Sequence, residues 1–120
     1  MPWQVEYTDQ FKEWWDTLSE EQQEDLADTV ELLMERGPTM PYSYSSGIAT
    51  SRHSHMRELR TQSGGEPLRT FYAFDPRRVS ILLIGGIKTG NDLIYPAYVP
   101  IADALYDDHL EELREEGIIP

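Results

Sequence analysis

The spacing of apolar residues changes from a period of two to a helical period within the first twenty residues. Val5 lies midway in an alternating segment, from Trp3 to Tyr7, that predicts a short half-buried strand. An apolar stripe at helical spacing then predicts an amphipathic helix, its face formed by Phe11, Trp14, Trp15 and Leu18. Aromatic residues at this spacing are typical of a core face rather than of a base-stacking surface.

A second helix is predicted from Ser19 to about Arg36. Ser19 and Gln22 match a capping box, and Gly37-Pro38 ends the helix. Together the two helices predict a hairpin that covers one face of a sheet. The next segment, residues 39–51, contains proline, glycine and several serines without any period, and we predict a loop there.

The longest apolar segment lies in the sequence PLRTFYAFDPRRVSILLIGGIKTG, Pro67 to Gly90. It predicts a strand over Leu68–Phe74, a turn at Asp75-Pro76 and a second strand over Val79–Ile84. The second strand is apolar almost throughout, which indicates a central strand buried on both faces. Gly85-Gly86 ends it and lets the backbone turn sharply or approach another group closely.

A strand of alternating character, Met56–Arg60, precedes this pair and joins it through a hairpin turn over Gln62–Glu66. A last amphipathic helix begins near Pro100 and ends at Gly117. The predicted order is β-α-α-β-β-β-α over residues 1–120. We therefore expect a single α+β domain: a small, mostly antiparallel sheet with an N-terminal helical hairpin and a C-terminal helix, all packed on one side.

Charge is distributed unevenly along the chain, whose net charge is −12. Residues 1–36 carry two cations and eleven carboxylates, residues 37–90 seven and three, and residues 91–120 one and eight. The sheet region is therefore basic between two acidic flanks. The flanks are explained either as solvent-facing helix surfaces or as surroundings that repel stray polyanions from a cationic site.

Several kinds of site lack support in the sequence. There is no cysteine, and His53-x-His55 has no third nearby ligand for zinc. Gly85-Gly86 lacks the spacing of a phosphate-binding loop, so we expect neither cofactor nor metal. No segment approaches the about 20 apolar residues of a membrane span, and the start does not resemble a signal peptide. We expect a cytoplasmic protein that does not bind membranes.

Cations on neighbouring predicted strands are the best candidates for chemistry. Arg57, Arg60, Arg69 and Lys88 lie on or at the ends of adjacent strands, where they can converge on one sheet surface. RNA cleavage through the 2′-hydroxyl requires fixed positive charge, a proton acceptor and a proton donor, and a tyrosine can stack on a base. The alternative is ordinary surface ion pairing without activity.

The sequence MRELR, followed by GGEPLRTFYAFDPRRVSILLIGGIKTG and a tyrosine before the last helix, resembles the RelE/HigB toxin superfamily. The phage-derived HigB-like branch is the most similar, and the resemblance covers nearly the whole chain. It implies the toxin of a type II toxin–antitoxin pair, acting as a metal-independent, ribosome-dependent mRNA endoribonuclease that inhibits translation. Its partners would be the ribosome, mRNA and a small antitoxin of the helix-turn-helix type.

The resemblance also implies roles for individual residues. Arg69 and Lys88 match residues that stabilise the transition state, Tyr95 matches a tyrosine that stacks on a base, and His55 stands near a histidine suited to proton transfer. RNA phosphates would be positioned by four arginines: Arg52, Arg57, Arg60 and Arg77. One alternative stays open, a non-catalytic protein-interaction module of the same fold, which includes a gyrase inhibitor of the ParE type or a toxin that has lost its activity.

Overall fold

The structure, a computed structural model, describes residues 2–90 and 92–120. Within these ranges it contains one five-stranded sheet, three α-helices and a short 3-10 turn at Gly37–Thr39. In chain order the elements are β1 (Val5–Tyr7), α1 (Asp9–Thr17), α2 (Glu20–Arg36), β2 (Ser45–Gly47), β3 (Arg57–Ser63), β4 (Glu66–Phe74), β5 (Ser80–Ile87) and α3 (Ile94–Glu115). The α+β class and the predicted order of the main elements are confirmed.

The sheet has the strand order β1-β5-β4-β3-β2. Strand β1 runs parallel to β5, and all other neighbours are antiparallel. The central position of β5 explains its apolar sequence, because Ile81, Leu82 and Leu83 are all buried between two layers of helix. The prediction of a mostly antiparallel sheet with this strand inside it is confirmed.

Helices cover both faces of the sheet, so the prediction that all helices lie on one side is wrong. Leu26 and Leu33 of α2 pack with Tyr72 on one face. On the other face, Val99 and Tyr106 of α3 belong to a second core cluster. The physical reason is the apolar character of β4 and β5 on both faces, which a single helical layer would leave half exposed to water.

A β-bulge in β5 determines which face of the sheet, and so which helix, each following residue of the strand packs against. Phe71 pairs with Ile84 and Tyr72 with Leu82, so Leu83 is the extra residue. The hydroxyl of Thr8, which also accepts the N-cap hydrogen bond of α1, donates to the Leu83 carbonyl at 2.6 Å. Pairing with β4 continues to Ile87, so the prediction that the strand ends at Gly85-Gly86 is wrong.

Both glycines allow close approach of a helix. A Cβ on Gly85 would lie 2.2 Å from the Trp14 ring of α1, and one on Gly86 would lie 2.4 Å from the Tyr98 ring of α3. At Gly85 and Gly86 the sheet therefore packs closely against α1 on one face and α3 on the other. The predicted close approach of the backbone to another group is confirmed on both faces.

Two boundaries differ from the predictions. The segment predicted as loop contains β2, which pairs with β3 and adds an edge strand. The last helix begins at Ile94 and includes Pro100 in its interior. Pro96 lies in the first turn, where a missing N–H costs nothing, and burial of Ile94 and Val99 offsets the hydrogen bond that Pro100 cannot make. No helix in the described ranges is long and apolar enough to cross a membrane.

Candidate functional site

The candidate site lies on the α3 face of β3 and β4, close to the edge strand β2. The two-residue period of β3 places Glu58 and Arg60 on this face. Arg60 pairs with Arg69 of β4, and Arg69 pairs with Gly86 of β5. The register therefore brings two arginines side by side in the area where α3 approaches the sheet.

A buried carboxylate, Glu58, lies at the centre of these cations. Its Oε1 accepts hydrogen bonds from Arg60 Nε at 2.9 Å and from the Tyr95 hydroxyl at 3.1 Å. Arg69 Nε lies 3.8 Å from the same oxygen. The Glu58 side chain is 2% exposed and that of Arg69 is 11% exposed. An ion pair buried to this extent fixes the side chains in one arrangement.

Two polar atoms of this cluster lack partners. Within the described part of the chain, neither Glu58 Oε2 nor Arg69 Nε makes a hydrogen bond, although both are buried. Buried polar atoms are nearly always paired, so an unpaired acceptor next to an unpaired donor needs an explanation. A bound ligand that both donates and accepts a hydrogen bond would satisfy the two atoms.

The cluster changes the pKa of its members. Burial raises the pKa of Tyr95, and the hydrogen bond to Glu58 raises it further, while Arg69 acts in the opposite direction with less effect. Burial alone would lower the pKa of Arg60, but the hydrogen bond and the charge of Glu58 outweigh it and the pKa is raised. At neutral pH the phenol is therefore protonated and the guanidinium charged.

A cleft of about 390 Å³ opens beside the cluster. One wall is formed by Glu58, Arg60 and Tyr95, and the other by the end of β2 and the residues after it: Ser46, Gly47, Ile48, Ala49 and Thr50. Asp92 also lines the cleft and holds the Lys88 ammonium at 3.1 Å. Of the residues predicted from the sequence, Arg60 and Tyr95 therefore line the cleft, whereas Arg69 and Lys88 adjoin it through their contacts with Glu58 and Asp92.

The other predicted residues lie elsewhere. Arg57 is on the opposite face of β3, where its Nε donates to Ser45 Oγ at 2.9 Å, so the prediction that it converges with Arg60 and Arg69 is wrong. The period of two along a strand separates neighbouring residues in this way. Arg77 lies beyond the other end of β4, bound to Asp75 and Glu6.

His55 and Arg52 contact the second half of α3. The His55 Nε2 lies 3.0 Å from the Tyr106 hydroxyl, and Arg52 forms an ion pair with Asp107. Tyr106 is eleven residues after Tyr95 on the same helix, which separates the two by about 16 Å along the axis. The structure therefore does not bring His55 to the arginine cluster. In the described ranges no group of three or more histidines or carboxylates is arranged to hold a metal ion.

Sequence reasoning missed Glu58 as a member of the site. A signal was present, because a glutamate two residues before an arginine on a predicted strand shares its face. What the sequence does not reveal is that α3 covers this face and buries the carboxylate.

Comparison with known proteins identifies related sequences. Residues 13–107 match the family described as phage-derived protein Gp49-like (DUF891). The chain is similar to two toxins assigned in Mycobacterium tuberculosis. It is 33% identical to HigB2, and the match covers 85% of this chain and 52% of HigB2. It is 35% identical to HigB3, and the match covers 78% of this chain and 82% of HigB3. This chain thus spans about half the length of HigB2.

Three solved structures share the fold at low sequence identity. The isolated RelE toxin of E. coli is 13% identical with a TM-score of 0.55, covering 82% of this chain and 96% of that one. A chain of the archaeal RelE–RelB complex from Pyrococcus horikoshii is 14% identical with a TM-score of 0.56, covering 76% and 100%. A chain of the intact E. coli RelBE toxin–antitoxin complex is 12% identical with a TM-score of 0.52, covering 70% and 94%.

Proposed function

Because this chain belongs to the Gp49-like family within the RelE/HigB toxin superfamily, we propose that it is the toxin of a type II toxin–antitoxin pair and cuts mRNA on the ribosome. The observation that carries this proposal is the pair of unsatisfied atoms, Glu58 Oε2 and Arg69 Nε, buried beside an open cleft. An RNA backbone can satisfy both atoms, because its 2′-hydroxyl donates a hydrogen bond to Glu58 Oε2 and its phosphate accepts one from Arg69 Nε.

The cations of the cluster suit a phosphate in its transition state. Arg69 and Arg60 are held in place by Glu58, so their positive charge is fixed before substrate arrives. Fixed donors in a site that excludes water stabilise developing negative charge most effectively, and removing one typically costs a factor of about 100 to 1,000 in rate. Lys88, whose ammonium lies 3.1 Å from Asp92 of the cleft lining, adds a further cation beside the cleft.

Glu58 supplies the proton acceptor that the reaction needs. The 2′-oxygen attacks phosphorus while its proton passes to Glu58 Oε2. The bond from phosphorus to the 5′-oxygen breaks, and Lys88 gives the departing oxygen a proton. The products are a 2′,3′-cyclic phosphate and a 5′-hydroxyl, and solvent then exchanges protons with Glu58 and Lys88. In this assignment Glu58 takes the proton-transfer role that the family resemblance implied for His55.

Tyr95 is placed to orient the reacting nucleotide. Its hydroxyl is fixed on Glu58, and its ring lies in a T-shaped contact with Phe71 at 6.1 Å between centroids. Because the hydroxyl and the ring of Tyr95 are both held in place, the exposed part of the ring faces the cleft in a fixed orientation. This arrangement suits stacking against a base. The ring therefore sets where the sugar lies relative to Glu58.

Replacement of Arg69 tests the proposal. Induced expression of the parent chain without a partner should arrest growth and shorten translated messages. Arg69→Ala should abolish both, since a fixed cation at the phosphate is lost. The matched control is Arg114→Ala, which removes an exposed arginine paired with Glu111 far from the cleft and should arrest growth as the parent does.

Circular dichroism of purified Arg69→Ala establishes that the variant is folded, which matters because Arg69 is largely buried. Folded Arg69→Ala that is as toxic as the parent would overturn the assignment of the cleft. Growth arrest by the parent with intact messages and altered DNA supercoiling would instead indicate a gyrase inhibitor.

A further inference from the structure

An apolar groove lies on the face of the molecule opposite the candidate site, between the edge strand β1 and the helical hairpin. We call it the β1 groove. Its volume is about 440 Å³, and its walls are formed mainly by Val5, Tyr7, Trp15, Val30 and Met34. Tyr7 is 60% exposed although its ring packs against Phe11. A groove of this composition leaves apolar surface in contact with water, which is unfavourable unless a partner covers it.

The floor of the groove ends at an open sheet edge. Strand β1 occupies one end of the strand order and pairs only with β5 among the described residues. The backbone of Gln4 and Thr8 bonds to β5, through Ser80 N to Gln4 O and Thr8 N to Leu82 O. Since peptide groups alternate in direction along a strand, those of Val5 and Tyr7 point outward. They are available to a further strand.

The rim of the groove is acidic. Glu31 lines it, and the exposed surface of α2 nearby carries Glu24, Asp28 and Glu35. The one cation among the lining residues, Lys12, is hydrogen-bonded to Asp16, which neutralises its charge. Carboxylates along the rim favour a partner segment that carries lysine or arginine.

We propose that the β1 groove is the docking site of the antitoxin, an inference that rests on the proposed toxin function. A basic, extended segment of the antitoxin adds a strand to β1 through the outward peptide groups of Val5 and Tyr7. Alternate apolar side chains of that segment fill the groove, and its lysines or arginines face the carboxylates of α2. Backbone bonds give affinity, while the groove and the acidic rim select the sequence.

Docking in this groove leaves the catalytic cleft uncovered. The groove is at the β1 edge on the face of α1 and α2, whereas the cleft is at the β2 edge on the face of α3. The two edges of a five-stranded sheet are separated by about 19 Å. An antitoxin bound in the β1 groove therefore leaves Arg69 and Lys88 uncovered.

Neutralisation in cells tests the docking site. The antitoxin is supplied as the product of the reading frame next to this one, co-expressed with Tyr7→Arg or Glu31→Lys variants of the full chain. Both positions are exposed, so the fold is preserved, and both variants should stay toxic in the presence of the antitoxin. The controls Ile118→Arg and Glu111→Lys introduce the same two residues at exposed positions outside the groove and should be neutralised as the parent is.

Calorimetry with the purified antitoxin gives the quantitative result. Tyr7→Arg and Glu31→Lys should each weaken binding tenfold or more, while Lys88→Glu should bind within twofold of the parent. A loss of affinity in Lys88→Glu that equals the loss in Tyr7→Arg would overturn the proposal, as would unchanged binding by both groove variants. Absence of toxicity in the parent would count against the proposed function alone, because the affinities are measured independently of growth.

A peptide probe examines the chemistry of the groove without the antitoxin. A nine-residue peptide of alternating lysine and valine should shift the amide resonances of Val5 and Tyr7 in the full chain. A peptide with glutamate in place of lysine should not, because the rim repels it. Equal binding of the two peptides, or shifts confined to the cleft, would contradict a site selected by charge.

Discussion

Glu58 combines burial, two arginine neighbours and an unpaired oxygen, and each property has a consequence for its substitution. Replacement by alanine leaves Arg69 buried without its partner, which typically costs about 3 kcal/mol or more in stability. Replacement by glutamine keeps the size of the side chain and an oxygen for Arg60. The second change therefore separates proton acceptance from structural support.

For Glu58→Gln we expect the rate of mRNA cleavage to fall by about 100-fold or more, because the acceptor for the 2′-hydroxyl proton is lost. Tyr95→Phe keeps the ring and removes only the hydroxyl, so its loss should be smaller, about tenfold. Single-turnover cleavage of ribosome-bound message measures both, and urea denaturation checks that each variant is folded. A Glu58→Gln rate within twofold of the parent would exclude Glu58 as the proton acceptor.

At this scale the roles of Arg69, Lys88 and Tyr95 stay predictions, and the structure shows only where these residues lie. Arg69, Lys88 and Tyr95 follow from a motif whose order along the chain is preserved in the sheet and helix. Arg57 was placed wrongly because neighbouring residues of a strand face opposite sides. His55 precedes β3, and its position depends on contacts with α3 that no local pattern encodes.

At the scale of the elements, the carboxylate of Asp75 connects the turn between β4 and β5 to α3. Asp75 accepts from the backbone N–H of Arg77 at 2.8 Å, as the predicted turn requires, and from Arg77 Nε at 2.9 Å. His109 Nε2, on α3, lies 2.8 Å from Asp75 Oδ2, the oxygen that also accepts from Arg77 Nε. The local role of Asp75 was predictable from Asp-Pro, whereas the link to α3 depends on tertiary packing.

The Asp75 network makes stability depend on pH. Burial would raise the pKa of Asp75, but hydrogen bonds from His109, Arg77 and the Val79 N–H outweigh it, and the pKa is lowered. A carboxyl with a lowered folded-state pKa contributes stability above its unfolded pKa of about 3.9, and the contribution is lost as pH falls through the folded value. We expect Asp75→Asn to cost about 3 kcal/mol at pH 7.

Urea denaturation between pH 7 and pH 2.5 measures this difference. The difference in the free energy of unfolding between the parent and Asp75→Asn should become smaller once the pH falls below about 4. A matched control is Asp16→Asn, whose exposed i,i+4 pair with Lys12 should contribute less than about 0.5 kcal/mol. If the free energies of unfolding of Asp75→Asn and the parent differ by the same amount at every pH, the charge of Asp75 does not stabilise the fold.

Other elements show where local signals suffice. The capping box at Ser19 is formed as predicted, with Ser19 N donating to the Gln22 side chain at 2.9 Å and Gln22 N donating to Ser19 Oγ at 3.1 Å. Strand β2 was missed because three residues of serine and glycine carry no period, and pairing with β3 alone makes them a strand. The start of α3 was misplaced because Pro100 was interpreted as a helix start.

Over the whole molecule, the charges divide the surface into basic and acidic regions. The cations of the cleft lie on β3, β4 and the segment after β5, whereas α2 and the second half of α3 are acidic. Regional charge was visible in the sequence, but the placement of α3 and the helical hairpin on opposite faces was not. With a net charge of −12, long-range repulsion opposes binding of free RNA, so under the proposed function we expect the ribosome to be needed to present the message.

Cleavage of the same mRNA, free and bound to ribosomes, tests the central proposal most directly. At physiological salt the purified parent should cut the ribosome-bound message, leaving 2′,3′-cyclic phosphate ends, and should leave the free message intact. Arg69→Ala should cut neither, and Arg114→Ala should match the parent. A ribosome-bound message left intact by the folded parent would contradict the account, as would equally rapid cutting of free RNA.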